Sequence, residues 1–234
     1  MITKVYIHKL DSEVINREGF GNTGLLPICR RKKLEKIKNE EARNQSYAAG
    51  RLLVMLLSEV LGLDEKEAVN LLDSNNHSEE SRTVSTGDKV IHYNISHSGE
   101  LVTVAVSDMS IGIDIECKTD KDFRITGRMF AEEDKTYVAD SQERFREVWT
   151  AKEAFLKCTG KGISVPLSCF TLDYSEGYIE KGYSIRRVLS KGYDLEDRKY
   201  YVYSKKIEDF DYSFSVCSEN KNLLLDMVWV EVLL

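Results

Sequence analysis

The 234-residue sequence predicts an α+β fold in which small antiparallel sheets pack against helices in two layers. Three observations carry that prediction. Three short segments, "VIHYNIS" (90–96), "LVTVAVS" (101–107) and "IGIDIE" (111–116), alternate or are continuously apolar, and each is joined to the next by a short turn-like connection. Two long stretches keep helical spacing instead. The tail from residue 169 returns to alternation around Gly and Asp turns.

In chain order, residues 2 to 9 read as a first strand. Residues 31 to 62 read mostly as helix: Leu52, Met55, Leu56, Val60 and Leu63 share one face, and Gly62 is a suitable stop. "DEKEAVNLL" (64–72) gives a short second helix, and the Ser-, Asn- and acid-rich stretch 73–88 gives a loop. The three strands then form an antiparallel meander. Helices follow over 125–139 and 142–158, and a second antiparallel sheet completes the chain. "VTVAVSDMSIGIDIE" (102–116) is echoed by "FSVCSENKNLLLDMVWVEV" (214–232), where Trp229 stands in the place of Asp114. The echo reads either as a duplication, which would give two similar halves and one site, or as convergence of two amphipathic hairpins.

Composition is that of a globular chain, 42% hydrophobic and 31% charged with two prolines. The net charge of −6 argues against a nucleic-acid binder. "RRKKLEKIK" (30–38) is the exception, with six basic residues and one acidic, either as a solvated helix face or as a patch for a small anion. No apolar run reaches membrane-spanning length and the N-terminus carries no signal-peptide core. Five scattered cysteines without C-x-x-C spacing fit reduced thiols in a cytoplasmic protein.

"SIGIDIE" (110–116) sets the chemical problem. On a strand Asp114 and Glu116 share one face, about 7 Å apart. Their mutual repulsion is relieved either by solvent on an edge strand or by a hard divalent cation such as magnesium. "FREVWTAKEAFLKCTGKG" (145–162) adds a helix on which Trp149, Glu153 and Lys157 repeat every four residues. Glu153 and Lys157 form a stabilising surface pair, or else a third carboxylate and an ammonium for the same ion and its phosphate. In "YNISHSG" (93–99), Ser96 and His97 end a strand, either in a plain turn or as phosphate-binding groups.

Taken together, N-I-S-H-S-G, then G-I-D-I-E, then W-x-x-K-E-x-x-x-K-x-x-G-K-G resemble the surfactin-type 4'-phosphopantetheinyl transferase family, closely over residues 90–166 and more loosely over 30–63 and the tail. The resemblance implies a pseudo-dimer of two α/β halves, 1–109 and 110–234, with coenzyme A between them. It implies transfer of the phosphopantetheine arm of coenzyme A to a serine of an apo acyl, peptidyl or aryl carrier protein, releasing adenosine 3',5'-bisphosphate. It also implies Asp114, Glu116 and Glu153 as ligands of magnesium, with manganese as an alternative ion. His97, beside Ser96, matches the contact to the 3'-phosphate, and Lys157 matches the lysine near the pyrophosphate. Glu153, or an acid in "RMFAEED" (128–134), takes the carrier proton. The position that matches the family's acid in that segment holds Asp134 rather than Glu.

Arg43 is the candidate cation of the helix "EEARNQSYAAGRLLV" (40–54), Arg51 a second one, and Lys32 and Lys33 can serve the same patch. The Gly-Lys-Pro of many relatives is missing from "SNNHSEESRTVSTGDKV", where Arg82 or Lys89 offers a substitute. A monomer suffices for such a pseudo-dimer. Two other readings stay open: a magnesium-dependent nuclease or phosphodiesterase, and a non-catalytic relative that binds coenzyme A or a carrier.

Overall fold

The computed structural model describes residues 3–11, 23–75, 82–87, 89–118 and 129–231, and these fall into two compact units. The first holds the chain up to Met109 together with residues 224–231, and the second runs from Ser110 to Leu223.

In the first unit, strands β1 (Thr3–Lys9), β2 (Thr83–Thr86), β3 (Lys89–Ser98), β4 (Leu101–Ser107) and β11 (Leu225–Trp229) form a sheet in the order β11-β1-β4-β3-β2. Only the β1–β11 pairing is parallel. Helices α1 (Ile28–Lys36), α2 (Glu40–Leu61) and α3 (Glu65–Ser74) accompany it. Helix α2 starts where the Asn39 side chain accepts a hydrogen bond from the Ala42 N–H at 2.8 Å and stops at Gly62, which takes φ 66°. An Asp64–Glu67 capping box starts α3. Leu52, Leu56 and Leu57 of α2 are fully enclosed against Val102, Val104 and Val106 of β4 and Ala68 and Leu72 of α3, each leucine contributing about 1.5–3 kcal/mol.

The second unit repeats this plan with different connections. Strands β5 (Ile111–Cys117), β6 (Phe170–Leu172), β8 (Tyr183–Ser190), β9 (Tyr201–Ile207) and β10 (Tyr212–Ser218) run in the order β5-β10-β9-β8-β6, with β7 (Tyr178–Glu180) paired to β8, and every pairing is antiparallel. Helix α4 (Glu132–Val138) precedes α5 (Gln142–Thr159). Val148, Ala151 and Phe155 of α5 are buried with Phe170, Val202 and Cys217 of the sheet.

Three expectations need correcting. The meander ends at β4, because β5 pairs with β10 rather than with β4. The echoed segments are therefore not hairpins: β4 and β5 lie in different units, and so do β10 and β11. The tail does not form a single sheet, since β11 pairs with β1 and belongs to the first unit. A short strand, Thr83–Thr86, occupies part of the stretch read as a loop. The helix expected from 125 is described only as Glu132–Val138, and residues 119–128 lie outside the described residues. None of the five cysteines is in a disulfide.

Candidate active site

Strand β5 carries the two acids on the face it presents to helix α5. The strand-to-helix spacing depends on Gly112, two residues before Asp114. A Cβ there would stand 1.9 Å from the Ala154 carbonyl oxygen and 2.4 Å from the Cys158 nitrogen, so only glycine lets the helix backbone lie directly on the strand. The Ser110 hydroxyl donates to the Cys158 carbonyl at 2.6 Å, fastening the last turn of α5 to the start of β5.

This close approach fixes which side chains meet. Asp114 is buried, while Glu116, Glu153 and Lys157 are half-buried. Lys157 donates from Nζ to Asp114 Oδ1 at 2.7 Å. The pair expected along the helix thus has its cation reaching across to the strand. Burial raises the Glu153 pKa; Asp114 and, more weakly, Glu116 push it the same way, and only Lys157 opposes them. The exposed-edge reading of the acid pair fails at Asp114, which is only 5% exposed. Three oxygen-donor carboxylates with no sulfur or imidazole are the donor set for a hard divalent ion. Among the described residues, however, no three His, Cys, Asp or Glu side chains stand as a ready-made ligand group. The cation already in place is an ammonium.

In the first unit, His97 is exposed at the end of β3, and Ser96, on the opposite face, is buried. The turn after them uses Gly99 at φ 51°, and the Gln45 side chain donates to the Gly99 carbonyl at 2.8 Å, tying the first half of α2 to that turn. Arg43 is exposed on the same half-helix. Arg51 is committed to holding two helices together, with two hydrogen bonds of 3.1 Å from α2 to the Glu65 carboxylate of α3. Lys32 and Lys89 are exposed, and Lys33 and Arg82 half-buried.

Asp134 departs from the expected role. It is fully enclosed and forms a 2.6 Å ion pair with Lys152, also fully enclosed. Asp134 Oδ1 accepts from the Thr171 and Tyr174 hydroxyls, each at 2.7 Å. Lys152 donates to the carbonyls of Leu167 and Phe170 and lies 4.3 Å from the Phe170 ring centre. Burial pulls the Lys152 pKa down and the Asp134 charge works against it. A carboxylate sealed this way is unavailable to a hydroxyl arriving from outside. It instead joins α4, α5 and β6 through one polar junction.

Three of these positions carry sequence signals that a motif reading passes over. Lys152 falls on the apolar stripe of α5, four residues after Val148 and three before Phe155, the mark of a buried lysine that needs a partner. Gly112 is a lone glycine inside a strand, the mark of a close backbone approach. Gln45 is a polar residue on a largely buried helical stretch.

Residues 110–211, within the second unit, match the model of the 4'-phosphopantetheinyl transferase superfamily. Among curated relatives, 4'-phosphopantetheinyl transferase psf-1 of Bacillus pumilus is 47% identical over 90 residues, 36% of this chain and 39% of its own length. The gsp enzyme of Aneurinibacillus migulanus is 36% identical over 91 residues, 37% of this chain and 38% of its own. Sfp of Bacillus subtilis is 31% identical over 146 residues, 59% of this chain and 60% of its own. The matched stretches therefore span between 38% and 60% of these relatives' lengths. Over these stretches the chain is similar to bacterial 4'-phosphopantetheinyl transferases.

Proposed function

We propose that the protein transfers the 4'-phosphopantetheine arm of coenzyme A to a serine of an apo carrier protein, releasing adenosine 3',5'-bisphosphate. The observation that carries the reading is the cluster in the second unit: Asp114 and Lys157 in contact, with the charge of Asp114 and Glu116 acting on a half-buried Glu153.

Asp114, Glu116 and Glu153 would hold a magnesium ion, with manganese as a substitute. Such an ion would neutralise the diphosphate and polarise phosphorus toward attack. The chain's own groups do the rest. Glu153, half-buried beside Lys157 on one stripe of α5, is the group offered to the proton of the carrier serine hydroxyl. As the serine oxygen–phosphorus bond forms and the phosphorus–oxygen bond to the nucleotide breaks, Lys157 offsets charge on the departing bisphosphate. Positioning and electrostatics suffice for phosphoryl transfer. His97 and Ser96 are the groups offered to the 3'-phosphate, with Arg43 as a further cation. Arg82 or Lys89 takes the part of the missing Gly-Lys-Pro lysine. The location would be cytoplasmic and the working state a monomer.

The test is incubation with coenzyme A, magnesium and apo carriers from fatty-acid, polyketide and nonribosomal-peptide assembly, read by intact mass. At least one carrier should gain one phosphopantetheine, only with the metal present. A coenzyme A complex that labels no carrier would favour a non-catalytic binding role. Cleavage of a plasmid without carrier labelling would favour a nuclease.

A further inference from the structure

Lys157 occupies the place where the carboxylate cluster needs a cation. Its Nζ is 2.7 Å from Asp114 Oδ1, with the lysine side chain 20% exposed and the aspartate side chain 7%. The charged groups that act on Glu153 are Asp114, Lys157 and Glu116. Among the described residues, these carboxylates do not already form a ligand group for a metal. Helix α5 is held on β5 by the glycine contact at Gly112 and by the Ser110 hydrogen bond, so the cluster reorganises through the lysine side chain more readily than through the backbone. A long, flexible side chain with a point charge at its end suits that exchange.

We propose that Lys157 is the resident counter-ion of this cluster and must leave Asp114 before a divalent ion can be held by Asp114, Glu116 and Glu153. This rests on the transferase reading. Two positive charges on one aspartate repel at close range, so the lysine and the metal compete for Asp114. The competition eases when another anion receives the ammonium. The diphosphate of coenzyme A is such an anion, which makes Lys157 a carrier of coupling: coenzyme A draws the lysine off Asp114 and thereby tightens metal binding. By linkage the metal tightens coenzyme A to the same degree. The enzyme then holds its metal weakly when alone and firmly only when its diphosphate substrate is bound. Metal-alone binding is accordingly poorer than three carboxylates would give without the lysine.

The experiment is titration of manganese, followed by its electron paramagnetic resonance signal, into the full chain with and without coenzyme A. The proteins are the unaltered chain, Lys157→Met, and Lys161→Met as a control for general charge just past the end of α5. Circular dichroism melting checks folding, with Lys157→Gln as the second variant should Lys157→Met melt early. Lys157→Met should bind manganese alone about tenfold more tightly, while Lys161→Met stays within about twofold of the unaltered chain; a tenfold change corresponds to about 1.4 kcal/mol. The gain in manganese affinity on adding coenzyme A should shrink in Lys157→Met. Manganese binding that is equal or weaker in Lys157→Met, or tightened equally by Lys161→Met, overturns the counter-ion role and leaves the transferase reading standing. Failure of the unaltered chain to bind manganese even with coenzyme A sinks the metal part of that reading along with it.

Discussion

Replacing Gly112 by alanine adds one methyl group directly under the backbone of helix α5. Its Cβ would lie 1.9 Å from the Ala154 carbonyl oxygen, about 1.5 Å inside ordinary contact at 3.4 Å. The second neighbour, the Cys158 nitrogen at 2.4 Å, is also backbone. Neither obstacle is the far end of a flexible side chain, so the helix must lift from the strand by about an ångström. Overpacking of this kind costs typically 1–3 kcal/mol, and about 2 kcal/mol lowers the melting temperature of a chain this size by roughly 4–8 °C. The functional loss should be larger than the stability loss. The lift moves Glu153 and Lys157 away from Asp114, and a misplacement of about 1 Å can cost on the order of 100-fold in rate. Differential scanning calorimetry and single-turnover carrier labelling measure the two effects. A Gly112→Ala protein that melts and labels like the unaltered chain would refute the claim that helix-on-strand contact sets the site.

Further consequences follow from the other groups. Lys152→Met leaves Asp134 charged and enclosed without its partner, and should destabilise by about 3–5 kcal/mol, read in a urea titration. Asp134→Asn keeps the shape and removes the charge. It should retain measurable labelling in protein that stays folded, whereas Asp114→Asn and Glu153→Gln should lose at least about 100-fold with little change in melting. The Glu153 pKa is raised in the fold. Its contribution to stability is therefore complete below the unfolded-state value and fades as pH rises through the higher folded-state value. The metal-free protein should accordingly gain stability from this group on moving from neutral toward weakly acid pH, and calorimetry against pH reads it. Nuclear magnetic resonance titration of the Glu153 carboxyl should find its midpoint lowered by Glu116→Gln and raised by Lys157→Met, since one removes a repelling negative charge and the other the only opposing positive one.

Much of this arrangement is legible in the chain because it is local. The alternation of Ile111, Ile113 and Ile115 puts Asp114 and Glu116 on one face, and the four-residue repeat of Glu153 and Lys157 puts them on one helical stripe. Asn39, Gly62, Ser141 and Gly160 cap the two long helices where sequence rules place caps. What the chain does not display locally is partner choice. The connection Asp108–Met109–Ser110 is short enough for a hairpin, yet it holds no Gly or Asn for the positive φ that tight hairpin turns require. The chain instead crosses from one unit to the other, and β5 finds β10 about a hundred residues later. Asp134 shows the same limit from the side of chemistry. The resemblance of "RMFAEED" makes Asp134 a candidate base, and only the folded chain reveals Lys152 beside it.

The most direct test of the central claim is an anomalous diffraction map of crystals grown with manganese and coenzyme A. A single manganese peak coordinated by Asp114, Glu116 and Glu153, with Lys157 turned from Asp114 toward the diphosphate, is the predicted result. A well-ordered coenzyme A with no peak at those three carboxylates, or with the ion held by other residues, would contradict it.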